Sequence, residues 1–208
     1  MKKHVKNALA GLFLGLCLMT PVSAHGYYSY EACDGEVVWM EPMDYTYYIF
    51  DNRSYDDLAN QKKVTTEDVE YLIDHYVAMY PDSALKGCAQ AFIDASNKTG
   101  LDPIFFLSLC GIESAWGTNK THVELNNPYS MGMYGDGVHK GYKVDETFYD
   151  AIIEGAYYIY EHYYKAGQTT LYSMNHVEDH SFCAGDSNWE YQIASEMEFL
   201  NSLLKKRG

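Results

Sequence analysis

The chain is poor in positive charge: 15 Lys and Arg stand against 29 Asp and Glu over 208 residues, a formal net charge of −14. Nucleic acid and anionic membrane surfaces are held by clustered Lys and Arg, so both are excluded as main partners. Long apolar runs are also missing. Nothing after residue 24 approaches the ~18 apolar residues that a membrane span needs. Metal-ligand spacing is absent: the cysteines are too scattered for a zinc site, and no His-Glu-x-x-His run marks a metalloprotease. No metal or other cofactor is therefore expected. There is no internal repeat and no low-complexity tract.

What is present begins with a leader. Lys2, Lys3 and Lys6 precede an apolar run from Ala8 to Met19, and Pro21-Val22-Ser23-Ala24 supplies small residues for cleavage. Residues 1–24 read as a secretory signal peptide, so the mature chain is expected to start at His25 and to work outside the cytoplasm. Its removal takes away three basic residues and no acidic one, which brings the net charge to −17. Four cysteines remain: Cys33, Cys88, Cys110 and Cys183. An even number in an exported chain predicts disulfides, with three possible pairings, and a buried free thiol is the alternative for Cys110. Residues 25–64 read as a Tyr- and acid-rich N-terminal arm in which Val37-Val38-Trp39 and Tyr45 to Phe50 are candidate strands. Residues 65–208 read as a single domain.

Within that domain the apolar residues recur at helical spacing. Thr65 with Asp68 forms a capping box, and Val69, Leu72, Ile73, Tyr76, Val77 and Tyr80 follow until Pro81. Leu85, Cys88, Ala89, Phe92 and Ala95 make a second stripe that Gly100 ends. From Thr118 to Glu146, Asn126-Asn127-Pro128 and a cluster of glycines predict loops and a small β-hairpin lobe. Phe148, Ile152, Gly155, Ala156, Ile159 and Tyr163 mark another helix, and Trp189, Ile193, Met197, Leu200 and Leu204 mark the last. Gly167 to Asp186, between those two, reads as loop with one helical turn.

The stretch from Gly100 to Gly117 is different, because it is apolar on every side yet carries one acid. Asp102 is a good N-cap, Pro103 suits the first helical position, and Gly117 suits the left-handed residue past the end. Glu113 has Leu109 and Cys110 one turn before it and Trp116 and Gly117 one turn after. Such surroundings disfavour the carboxylate and raise its pKa. A carboxylic acid that keeps its proton near neutral pH is what a general acid requires, so Glu113 is the candidate catalytic residue. A neutral sugar polymer is compatible with the acidic balance, and the 21 Tyr and three Trp offer aromatic faces for sugar rings.

Glu113-Ser114-Ala115-Trp116-Gly117, followed by Asn127-Pro128-Tyr129-Ser130-Met131-Gly132, resembles the glucosaminidase domain of bacterial cell-wall autolysins and flagellar peptidoglycan hydrolases. In that family an acid-Ser-Gly-Trp-Gly run precedes an Asn, an aromatic and a Gly-Ile-type turn. Ser83-Ala84-Leu85-Lys86-Gly87, Phe92-Ile93-Asp94-Ala95, Gly155-Ala156 to Tyr163, Gly167 to Met174, and Phe182-Cys183 with Trp189 extend the match in family order from about Thr66 to Leu200.

The resemblance implies a mainly α (α+β), lysozyme-like helical domain with a small β-hairpin lobe, the two forming a groove for a glycan strand of peptidoglycan. The implied reaction is hydrolysis of the β-1,4 bond on the reducing side of N-acetylglucosamine. Glu113 matches the acid that protonates the leaving oxygen. Asn127, Tyr129 and Ser130 are expected to line the groove, with Trp116, Tyr134, Tyr172, Phe182 and Trp189 as further substrate contacts. Phe182 departs from the pattern, since many members place a Tyr there beside the acid; Tyr134 and Tyr172 are the candidates to supply the missing hydroxyl. The second carboxylate is expected at Glu146, with Asp145 and Asp136 as alternatives. Where no second acid is close enough, the substrate's own acetamido oxygen takes that part.

Two other readings compete. A muramidase or lytic transglycosylase shares the fold and the helix-end Glu but cuts the alternate bond; Trp116-Gly117 after Glu113-Ser114 favours the glucosaminidase. A glycan-binding module that has lost catalysis is the reading from a different class, suggested by Phe182. A cysteine hydrolase built on Cys110 or Cys183 is set aside, because export accounts for the same cysteines.

Overall fold

A computed structural model of the chain describes residues 28–31, 37–40, 56–59, 63–133, 147–183, 186 and 188–207. Contacts divide the chain into two units, Met1–Phe50 and Asp51–Gly208. In the first, strands β1 (Tyr28–Glu31) and β2 (Val37–Met40) pair antiparallel, with Tyr28 opposite Met40 and Glu31 opposite Val37. Val37-Val38-Trp39 is thus in a strand. The expected signal peptide, Cys33 and the Tyr45 to Phe50 run lie outside the described residues.

The second unit is helical. Its elements are α1 (Thr66–Val77), α2 (Ala89–Thr99), α3 (Pro103–Ser114), α4 (Lys120–Glu124), α5 (Phe148–Ile159), α6 (Leu171–Asn175) and α7 (Trp189–Arg207). A π-helical turn, Tyr160–Tyr164, continues α5. The capping box is formed: the Thr65 side chain accepts from the Asp68 N–H, and the Asp68 carboxylate accepts from the Thr65 N–H at 3.0 Å. Gly100 closes α2 in the left-handed conformation. The short segment 57–59 also belongs to this unit, because Leu58 is buried and bonds the backbone at Thr169 and Asp102.

α3 is the central element. Pro103 to Gly111 and Ser114 are all buried, so the helix is covered on nearly every side, and it packs against α2, α5 and α7. Burial of this kind is the main favourable term in folding and fixes α3 rigidly in the domain. Of the predicted lobe, residues 118–133 form α4 and tight turns, with no strand among the described residues. The remainder, through Glu146, lies outside them.

Two expectations are corrected. Gly117 does have a left-handed backbone, with φ 70°, but α3 ends earlier, at Ser114, and the left-handed run begins at Ala115. Cys88 and Cys110 are free thiols and not disulfide partners. Cys110 lies wholly inside α3's packing, where burial pushes its thiol far up, and burial pushes the Cys88 thiol up to about 11. Thiols so disfavoured as thiolates are inert packing groups. Among the described residues no helix is long and apolar enough to cross a membrane.

Candidate active site

Glu113 sits in the last turn of α3, and the backbone beyond it turns sharply through Ala115 (φ 49°), Trp116 (φ 55°) and Gly117 (φ 70°). Left-handed geometry is costly for residues with a Cβ, so something must hold it. The turn after α1 does so. Ser83 Oγ donates to the Trp116 carbonyl at 2.6 Å, and the Ala84 N–H donates to the Gly117 carbonyl at 2.9 Å. A Cβ at position 117 would meet Leu85 N and Ser83 Oγ at 3.0 Å, so the glycine allows this clamp to close. From within the helix, Ser114 Oγ accepts the Gly117 N–H at 2.9 Å. The matched motifs Ser83-Ala84-Leu85 and Ser114 to Gly117 are therefore two sides of one joint.

Trp116, expected as a substrate contact, is buried, with 8% of its surface exposed. Its indole covers Gly111, where a Cβ would come within 2.6 Å of the ring, and it stacks on Tyr76 with ring centroids 3.4 Å apart. Tyr76 in turn donates to Glu196 Oε1 at 2.6 Å. Asn127 and Tyr129, expected to line the groove, are both fully buried. Asn127 staples a tight turn, its Oδ1 accepting the Met131 N–H and its Nδ2 donating to the Met131 carbonyl, both at 2.9 Å. Tyr129 anchors the turn in the core, donating to the Ile152 carbonyl. These residues shape the loop that presents Ser130.

Ser130 and Trp189 do reach the acid. The Trp189 indole Nε1–H donates to Glu113 Oε1 at 2.9 Å, and the Ser130 hydroxyl acts on the same carboxyl as a donor that lowers its pKa. Glu113 keeps some exposed surface, yet protein encloses its carboxyl closely. That burial is the largest influence and pushes the pKa up; the hydrogen bonds from Ser130 and Trp189 pull it down, and the negative charge of Asp186 raises it. The net direction is upward. An indole N–H can only donate, so Oε1 is the accepting oxygen, and the proton of the acid form belongs on Oε2.

Trp189 is itself fixed from two sides. Phe182 stacks against it, with centroids 4.9 Å apart and planes 28° from parallel. Its sequence neighbour Glu190 is fully buried and accepts from Asn175 Nδ2 at 2.8 Å, with His176 Nε2 2.7 Å away. Phe182 is thus an apolar wall behind the indole that holds the acid. Tyr172 stacks on His176. His176 and His180, four residues apart with Glu178 between them, are turned to different partners, Glu190 and the Tyr163 ring. Tyr134, Glu146, Asp145 and Asp136 lie outside the described residues.

Sequence reasoning missed His122, whose Nε2 lies 2.6 Å from Ser130 Oγ. It also missed Asp186, which faces Glu113 from the approach to α7. A lone His eight residues from a Ser carries no spacing signal; only the Asn127 turn brings them together.

No family profile matches the chain. Among curated proteins, it is 30% identical over 138 residues to a β-N-acetylglucosaminidase of Bacillus subtilis (strain 168), covering 58% of this chain and 16% of that protein. The chain thus spans a small part of the length of that relative. Among solved structures, S. aureus autolysin E aligns over 83% of this chain and 82% of its own, with a TM-score of 0.62 and 18% identity. A catalytic mutant of autolysin E in complex with the disaccharide NAG-NAM aligns equally well, with a TM-score of 0.62, 18% identity and 83% of each chain covered. The structure of a major bifunctional autolysin aligns with a TM-score of 0.53 and 21% identity, over 82% of this chain and 80% of that one. Sequence and fold therefore agree with the resemblance to a bacterial glucosaminidase domain.

Proposed function

From a domain of the bacterial glucosaminidase type, we propose that the chain is a secreted peptidoglycan hydrolase, an endo-β-N-acetylglucosaminidase in which Glu113 is the general acid. The observation that carries the reading is the Glu113 carboxyl itself: raised in pKa by burial, placed at a helix end, with Oε1 held by Trp189. Its Oε2 proton is then free to pass to the glycosidic oxygen as the bond to the leaving sugar breaks. The B. subtilis relative is named for this activity, and the autolysin E complex holds NAG-NAM. Both support a glycan strand as the substrate.

The second half of the reaction needs a group to direct water or to stabilise the oxocarbenium-like carbon. In this reading Glu146 has that role if its carboxyl lies about 6.5–9.5 Å from Glu113 on the opposite face of the sugar; otherwise the acetamido oxygen of the substrate takes it. Export through the leader at residues 1–24 would deliver the enzyme to the wall.

The test is digestion of purified peptidoglycan by the mature protein, with the products read by mass spectrometry. N-acetylglucosamine at the new reducing ends is the expected result. N-acetylmuramic acid there would make the chain a muramidase, and binding without any new reducing ends would make it a glycan-binding module. The rate should fall as pH rises through the raised pKa of Glu113, because the acid must be protonated to act.

A further inference from the structure

The loop after α4 brings two side chains to Glu113, and their chemistry defines a direction. Ser130 Oγ lies 2.6 Å from His122 Nε2 and also acts as a donor on the Glu113 carboxyl, lowering its pKa. A hydroxyl has one proton, so it cannot donate to both. The other ring nitrogen decides which it serves, because His122 Nδ1 is buried with no hydrogen-bond partner among the described residues. A proton on Nδ1 would leave a buried donor unsatisfied, whereas a proton on Nε2 leaves only a lone pair without a partner. His122 therefore donates to Ser130, and Ser130 donates to Glu113. A doubly protonated ring would carry the same unsatisfied Nδ1–H, and burial does push the His122 pKa down, so the ring is neutral.

The backbone is arranged for this contact. Ser130 has φ 54°, a region that residues with a Cβ seldom enter. Asn127 closes the turn on both sides of it through Met131, and the Asn127 N–H donates to the His122 carbonyl at 2.8 Å. One buried residue, through its backbone N–H on one side and its side chain on the other, thus fixes the separation of His122 and Ser130.

We propose that His122 and Ser130 are positioning residues: a relay from imidazole N–H to hydroxyl to carboxyl that orients Glu113. The proposal rests on Glu113 being the general acid. The groups that face Glu113 from the surrounding elements are Trp189 on α7, Asp186 ahead of it, and the neutral Cys110 thiol one turn back on α3. Asp186 raises the Glu113 pKa, as burial does, so the relay and the indole are what oppose them. On His122, burial is the acting influence.

Three variants test the relay. Ser130→Gly suits the left-handed backbone and removes the hydroxyl, His122→Leu removes the donor, and His122→Gln keeps an N–H that can donate to Ser130. For the first two, kcat on peptidoglycan should fall about tenfold with KM little changed, as for a misplaced acid. The alkaline limb of the kcat–pH profile should at the same time move to higher pH, because a carboxyl that loses a donor to its charged form keeps its proton longer. His122→Gln should return both quantities toward those of the parent. The carboxyl carbon-13 titration of Glu113 should move upward in step without substrate, and nitrogen-15 shifts of the parent's His122 ring should report the Nε2–H tautomer. An unmoved Glu113 titration in folded Ser130→Gly, or an Nδ1–H tautomer in the parent, would overturn the relay. An inactive parent would overturn the functional reading instead, while the titration and the tautomer would still decide the relay.

Discussion

At its N-terminus α3 is started by signals of its own sequence, the Asp102 cap and Pro103, whereas its C-terminus, where Glu113 sits, adds to its local bonds contacts from distant elements. At the first end, Asp102 accepts the Ile104 N–H at 2.8 Å, and Pro103 brings a backbone already suited to the helix. At the second, Ala115 and Trp116 occupy a conformation that costs about 1–2 kcal/mol for each residue bearing a Cβ. Ser83, Ala84 and the Tyr76 ring supply what keeps it there. The end that carries Glu113 is the strained one, supported also from outside. Such strain is maintained by surrounding structure at functional sites. A remote change can therefore disturb Glu113 while leaving the other end intact.

The sharpest break is at the acid itself. Glu113→Gln keeps the shape and an acceptor for the Trp189 indole, but has no proton to give. Turnover on peptidoglycan should fall by about 10² to 10⁴. The melting temperature should hold or rise, since an ionisable group no longer has to be buried. Near-normal turnover would remove Glu113 from its role.

The two ends can next be compared directly. Gly111→Ala would put a Cβ 2.6 Å from the Trp116 ring, forcing the indole off Tyr76. Overpacking of this kind costs about 1–3 kcal/mol, and here it should lower kcat as well, because the displaced residue belongs to the turn after Glu113. Asp102→Ala should cost a similar ~0.5–2 kcal/mol through the lost cap, yet leave kcat unchanged in the folded protein. Denaturant midpoints and kcat for the pair check this. Equal losses of kcat would show that the two ends are not independent.

A pH lever acts on the supported end alone. Burial pushes the Glu196 carboxyl up to about 7, against the pull of the Tyr76 hydroxyl bond. The folded protein holds this proton more tightly than the unfolded chain, whose value is near 4.5. The resulting stability is complete below that value and is lost as pH rises through about 7. Glu196→Gln still accepts from Tyr76 and never ionises. Its melting temperature should match the parent's in acid and exceed it above neutral pH. Parallel curves for the two proteins across that range would mean that Glu196 ionises as freely in the fold as outside it.

Much of α3 was legible because its signals are local: a cap, a proline, a continuous apolar surface and one misplaced acid. The helices on either side were legible for the same reason, from Thr65 and Asp68 or from the Trp189 to Leu204 stripe. The partners of Glu113 were legible only in part. The resemblance names Ser130 and Trp189 as groove contacts and not as partners of the acid, and it is silent on the burial of Trp116, Asn127 and Tyr129, since a motif gives residue identity without the direction a side chain takes. His122 was invisible, because its place depends on how Asn127 folds the loop. The even cysteine count points to disulfides, but Cys110 takes the alternative of a buried free thiol, because the packing of α3 encloses it.

The smallest effect tests where the strain lies. Ala115 stands where the resembled family has Gly, and its φ of 49° and ψ of 53° place it in the left-handed region. Ala115→Gly removes the Cβ penalty of about 1–2 kcal/mol in the folded state. It also frees the unfolded chain, which returns about 0.4–1 kcal/mol against the gain. The difference predicts a stabilisation of up to about 1 kcal/mol, visible as a small rise in melting temperature. Turnover should be unchanged, because the Ser83 and Ala84 clamps grip the Trp116 and Gly117 carbonyls and not the Ala115 side chain. A clear loss of stability would mean that the Ala115 methyl contributes more in packing than its backbone costs. In that case the C-terminal end of α3 would be as self-sufficient at this residue as the N-terminal end is at Asp102, and the tension would reside in Trp116 alone.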